Sequence, residues 1–130
     1  MDISLAVNGT LMRGLELNGN LLKAGARFLR EDATAPEYRL WSIADRHPAM
    51  VRVRSGGAAV AVEVWQVAAA GLAQILLAEP AGLCIGKVRL ADGSETLGVI
   101  GEPTLCEGHR EITSYGGWRT YVASRNRTPA

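Results

Sequence analysis

At 130 residues the chain has room for one hydrophobic core and too little length for two ordinary domains. Hydrophobic residues at 48% and charged residues at 21% exclude a disordered or fibrous chain. Fourteen basic against 13 acidic side chains, scattered along the sequence for a net charge of +1, exclude the basic footprint of a nucleic-acid binder.

The amino terminus, Met1-Asp2-Ile3-Ser4, carries an acid where a secretory leader carries positive charge, and no apolar run reaches bilayer length. A cytoplasmic protein with neither a membrane nor a nucleic-acid partner is expected. Gly, Pro and Asp-Gly then cut the chain into short segments with the alternation of half-buried strands: Ile3 to Asn8, Ala26 to Arg30, Tyr38 to Ser42, Met50 to Arg54, Ala59 to Gln66, Lys87 to Leu90 and Thr96 to Ile100. Their short spacing predicts an α+β domain with largely antiparallel pairing. Arg54-Ser55-Gly56-Gly57 and Ala91-Asp92-Gly93-Ser94 read as hairpin loops, each joining two of these strands.

Val67 to Ala78, rich in Ala and Leu, is the main predicted helix, and Pro80 stops it near Glu79. A helical turn capped by Asn20 is expected over Leu21 to Lys23, and another over Gly117 to Val122. Trp118, Tyr115 and Tyr121 are expected to hold the carboxy-terminal segment on the core. The domain is read as residues 1–123, with the polar, basic 124–130 as a flexible tail.

Two segments carry candidate chemistry. Leu72, Ile75 and Leu76 share a helix face, and Glu79 sits at the i+7 position of that stripe, where desolvation and the negative helix end would both raise its pKa, as a general acid/base needs. Periodicity alone equally allows a solvated carboxylate at a frayed helix end. The second segment, Asn8-Gly9-Thr10-Leu11-Met12-Arg13-Gly14, follows the first strand; consecutive N–H groups there can form a concave nest for a carboxylate or an oxyanion. A plain turn with Arg13 in solvent reads the same residues. Cys84 and Cys106 lack the spacing of a metal site and read as reduced, structural thiols, and His47 and His109, isolated in sequence, read as surface or structural residues.

Taken together, the segments resemble the γ-glutamyl cyclotransferase-like family. Asn8 to Gly14 is similar to its Tyr-Gly-Thr-Leu-x-x-Gly signature, and Tyr38-Arg39-Leu40-Trp41 with His47-Pro48-Ala49-Met50 is similar to its next strand and loop. Spacing then places Glu79, ahead of Pro80-Ala81-Gly82 and Ala91-Asp92-Gly93, on the family's catalytic glutamate. A closer similarity, over Thr34 to Leu40, Glu63-Val64-Trp65, Ile85-Gly86 and Ile112 to Tyr121, is to the carboxy-terminal domain of allophanate hydrolase, which shares the fold. Asn8 stands where the cyclotransferase signature has Tyr, and Leu11 where the allophanate hydrolase domains carry His; a free-standing relative fits both departures.

The resemblance implies a small, largely antiparallel β-barrel with flanking helices, its central first strand delivering the glycine loop beside Glu79. It implies Glu79 as general acid/base and Asn8, Gly9, Thr10 and Leu11 as substrate-binding residues, acting on a small carboxylate or amine substrate without metal or other cofactor. The implied reaction releases 5-oxoproline from a γ-glutamyl amine. The alternatives are decarboxylation of an N-carboxylated carbamate and a non-catalytic binding or oligomerisation module, for which a homodimer is one arrangement.

Overall fold

A computed structural model of the chain describes residues 2–126. In chain order its elements are strand β1 (Asp2–Val7), helix α1 (Asn18–Lys23), strands β2 (Arg27–Ala33), β3 (Tyr38–Ile43), β4 (His47–Arg52) and β5 (Ala61–Ala68), helix α2 (Ala69–Ala78), strands β6 (Leu83–Arg89) and β7 (Glu95–Gly101), helix α3 (Pro103–Cys106), strand β8 (Arg110–Glu111), a 3-10 turn (Thr113–Tyr115) and helix α4 (Trp118–Arg125).

The strands form two sheets, one in the order β2-β5-β1-β7-β6 and one in the order β4-β3-β8. β1 is the middle strand of the larger sheet, as its run of buried Leu5, Ala6 and Val7 requires: a strand apolar on both faces must be covered on both. It pairs antiparallel with β5, Leu5 opposite Trp65, and parallel with β7, Leu5 opposite Leu97. The β-rich, mixed α+β expectation therefore stands, but the sheets stay open and do not close into a barrel. β5 and β7 take both edges of β1, β2 and β6 are the edge strands of the larger sheet, and β4 pairs with β3 in the smaller one.

That pairing also corrects one turn. Arg54 to Gly57 is not a hairpin loop, because β4 pairs with β3 while β5 pairs with β1 and β2, so the segment crosses from one sheet to the other. The hairpin of the smaller sheet lies earlier, where Arg46 N–H donates to Ile43 O (3.0 Å) across Ala44 and Asp45, both at positive φ (53° and 59°). Side chains hold this unusual turn: Ser42 Oγ and Tyr121 OH each donate to Asp45 Oδ1 at 2.6 Å. The Asp92-Gly93 turn does join two strands, β6 and β7, with Gly93 at φ 89°.

α2 starts at Ala69, two residues later than expected, since Val67 and Ala68 continue β5 opposite Ile3 and Asp2. Its buried stripe is narrower than the sequence reading: Ile75 is buried and Leu72 packs on the core, while Leu76 and Leu77 face outward, Leu77 at 87% exposure. α1 begins at Asn18, which leaves Asn20 inside the helix instead of at its cap. α4 takes in Ser124 and Arg125, read as tail from sequence, and residues 127–130 lie outside the described residues. The two sheets share one core, in which Leu5 and Val7 from β1 meet Tyr38 and Leu40 from β3, Met50 from β4, and Trp118 and Tyr121 from α4. Tyr115 packs edge-on to Tyr121 at 5.1 Å between ring centres. Among the described residues no helix is long and apolar enough to cross a membrane.

Candidate active site

β1 ends at Val7 and leads into a tight loop, in which Met12 N–H donates to Gly9 O (3.0 Å) and Leu17 N–H to Thr10 O (2.9 Å). The N–H groups of Gly9, Thr10 and Leu11 have no acceptor among the described residues. The loop faces the start of β4: a Cβ built on Gly9 would lie 2.4 Å from Pro48 Cδ, so only glycine fits there. On the opposite side α2 ends at Ala78, and Glu79 leaves the helix in extended conformation (φ −74°, ψ 150°).

These three pieces enclose a narrow, half-open cleft of about 20 Å³, lined by Asn8, Gly9, Thr10, Leu11 and Glu79 together with His47, Pro48 and the apolar Val7, Leu83 and Val99. The five residues singled out from sequence thus come together in one place. A wider outer basin of about 270 Å³ shares Thr10, His47 and Glu79 with it, and adds Glu16 and Arg46 at its wall.

The five do not present themselves in the same way. The Glu79 carboxyl has no hydrogen-bond or ion-pair partner among the described residues, and burial pushes its pKa above the ordinary carboxylate value. Asn8 is buried and donates from Nδ2 to Val99 O (2.9 Å), so it ties the loop to β7. Leu11 turns its side chain into the core, and its carbonyl accepts from Asn18 Nδ2 (2.8 Å). What Gly9, Thr10 and Leu11 offer to the cleft is chiefly backbone.

Two residues escaped the sequence reading. His47 lines both the cleft and the basin, and its Nδ1 lies 3.0 Å from Pro48 O. Nothing in one sequence marked it, because its neighbours in the cleft come from β1 and α2. Glu63 is a buried carboxylate on β5 that holds the far end of the loop. Its Oε1 accepts from the Arg13 amide (2.9 Å) and the Trp65 indole (3.1 Å), and its Oε2 from Arg119 (3.1 Å) and Arg13 Nε (3.3 Å). Burial alone would raise its pKa, but these donors, the Arg13 amide foremost, outweigh it and hold the pKa below the ordinary value. An acid inside the apolar run Ala61 to Ala68 was the available signal. Arg13 is accordingly no solvated loop residue: besides Glu63 it pairs with Glu31 (2.8 Å) and lies over the Phe28 ring.

Among the described residues no three His, Cys, Asp or Glu side chains converge as metal ligands. Cys84 and Cys106 are free thiols, half-buried and buried.

Residues 3–123 match the family model for the allophanate hydrolase C-terminal domain. Among curated proteins the chain is 32% identical over 127 residues to urea amidolyase of Saccharomyces cerevisiae, covering 92% of this chain and 7% of that protein. The chain thus spans a small fraction of the length of that relative. Among solved structures it is similar to a uropathogenic E. coli-specific protein, with 61% identity, TM-score 0.93, and coverage of 95% of this chain and 97% of the other. Allophanate hydrolase of Kluyveromyces lactis superposes at TM-score 0.91 and 28% identity over 97% of this chain and 22% of its own. An AIG2-like protein from Mus musculus, 16% identical, shares the fold at TM-score 0.61 over 80% of this chain and 78% of its own.

Proposed function

The chain belongs to the allophanate hydrolase C-terminal domain family, and from that premise we propose that it is a small-molecule enzyme of cyclotransferase type with Glu79 as general acid/base. The observation that supports the reading is one unpaired, desolvated carboxyl in the same small cleft as three loop residues whose backbone N–H groups have no acceptor among the described residues. A carboxyl with a raised pKa can both accept and return a proton near neutrality, and fixed amides can stabilise an oxyanion without reorganising. In the reaction the α-amine of a γ-glutamyl amine attacks its own γ-carbonyl while Glu79 takes a proton from the attacking nitrogen. The bond from the α-nitrogen to the γ-carbonyl carbon (Cδ) forms, the oxyanion rests on the Gly9 to Leu11 amides, and Glu79 returns the proton to the leaving nitrogen as the old Cδ–N bond breaks. The products are 5-oxoproline and the free amine.

Family membership favours a second reading, in which the same cleft decarboxylates an N-carboxylated carbamate and protonated Glu79 supplies the proton to the departing nitrogen. The test is incubation with γ-glutamyl amines and, separately, with N-carboxylated compounds, followed by mass spectrometry and carbon dioxide detection. New 5-oxoproline supports the first reading and carbon dioxide release the second. Binding without turnover of either leaves a non-catalytic module. Thr10→Ala serves as the control: the contacts assigned to this loop come from its backbone, so turnover should change little.

A further inference from the structure

We infer that His47 is a second proton-handling group of the cleft, taking through Nε2 the first of two protons that the substrate's ammonium group must shed; the inference rests on the cyclotransferase reading. Three observations place it there. His47 is one of only three residues, with Thr10 and Glu79, that line both the cleft and the outer basin. Its Nδ1 lies 3.0 Å from Pro48 O, and since a carbonyl only accepts, Nδ1 carries the proton and Nε2 keeps the lone pair. The following residue, Pro48, is wedged against Gly9, which fixes the imidazole's attachment point relative to the amide row.

The chemistry calls for such a group. An α-amine is largely protonated at neutral pH, so two protons must leave its nitrogen before it becomes a lactam N–H. Both end on the departing amine, which leaves as an ammonium ion, and a single carboxylate carries only one at a time. His47 Nε2 takes the first proton and frees the nucleophilic lone pair. Glu79 then takes the second proton as the N–Cδ bond forms and passes it to the leaving nitrogen as the Cδ–N bond breaks. His47 returns the first to the free amine, which restores both groups.

The test uses His47→Asn, because the Asn amide can keep the donor bond to Pro48 O while removing the Nε2 lone pair. Turnover of γ-glutamyl amines should fall about 100-fold in kcat with an unchanged Tm. A variant that turns over as fast as wild type overturns the role of His47 and leaves that of Glu79 standing, whereas no 5-oxoproline from wild type overturns the reading beneath both. A measurement on the unaltered protein covers a variant that folds poorly. The chain has two histidines, and on titration with 5-oxoproline the Nε2 resonance of His47 should move in nitrogen NMR while that of His109, at the exposed turn before β8, stays put. A stationary His47 resonance in a protein that binds 5-oxoproline overturns the inference.

Discussion

Pro48 lies against Gly9 so closely that a methyl group on Gly9 would overlap the proline ring, 2.4 Å from Cδ and 2.6 Å from Cγ. This contact joins the smaller sheet to the loop at the end of β1, and both residues line the cleft that Glu79 also lines. Gly9→Ala must push apart two pieces of backbone, as a proline ring cannot swing away. We expect a cost of about 1–3 kcal/mol in chemical denaturation, as for other overpacked sites, and loss of 5-oxoproline formation greater than that of Thr10→Ala. A fully active Gly9→Ala protein would remove the loop from the site.

Glu79→Gln separates a working acid from a helix end. Turnover of the substrate should drop by at least about 100-fold. Stability should move the other way. Because burial raises the folded-state pKa of Glu79, the ionised form is disfavoured in the folded protein, so its burden is absent below the unfolded pKa, grows as pH rises, and is complete above the folded pKa. The Gln variant lacks that burden and should melt at or above the wild-type temperature at pH 7, with the gap closing toward pH 4. Melting curves at both pH values check this, and a gap that widens in acid contradicts it.

Glu63→Ala would leave the Arg13 amide, the Trp65 indole and Arg119 without their shared acceptor. Breaking a buried charged network costs about 3–5 kcal/mol, and a value toward the lower end is expected because both arginines are nearly half exposed. Wild type should also lose the Glu63 contribution in acid. Its folded pKa is depressed, so the stabilisation is present above the unfolded pKa and disappears as pH falls through the folded one. Urea unfolding of variant and wild type across that range should converge as the pH falls.

Trp118 is buried at the start of α4 and stacks obliquely on Tyr121, ring centres 5.7 Å apart. Trp118→Ala should cost about 3–5 kcal/mol, as other large core truncations do. A calorimetric Tm equal to wild type would mean that α4 adds nothing to the core.

Local chemistry determined much of this protein. The apolar run Leu5 to Val7 had to be an inner strand, Asp92-Gly93 had to turn, Pro80 had to end α2 near Glu79, and the aromatic residues around Trp118 had to be buried, because each follows from backbone preference or from a side chain's aversion to water. Partner choice was not legible. That β4 turns back on β3 through Ala44 and Asp45, of which only Asp45 tolerates positive φ readily, depends in part on Tyr121 reaching Asp45 from 76 positions away. That β4 pairs with β3 in a separate sheet and does not extend an edge of the larger one is likewise a choice of partner that nothing local to β4 specifies. The outward turn of Leu76, the burial of Glu63 and the arrival of His47 in the cleft that Glu79 lines likewise come from packing between segments far apart in the chain. Residue types and spacing nominated Asn8 to Leu11 and Glu79 one segment at a time, and only the packing of the β1 loop, the start of β4 and the end of α2 against one another brought them around one cleft.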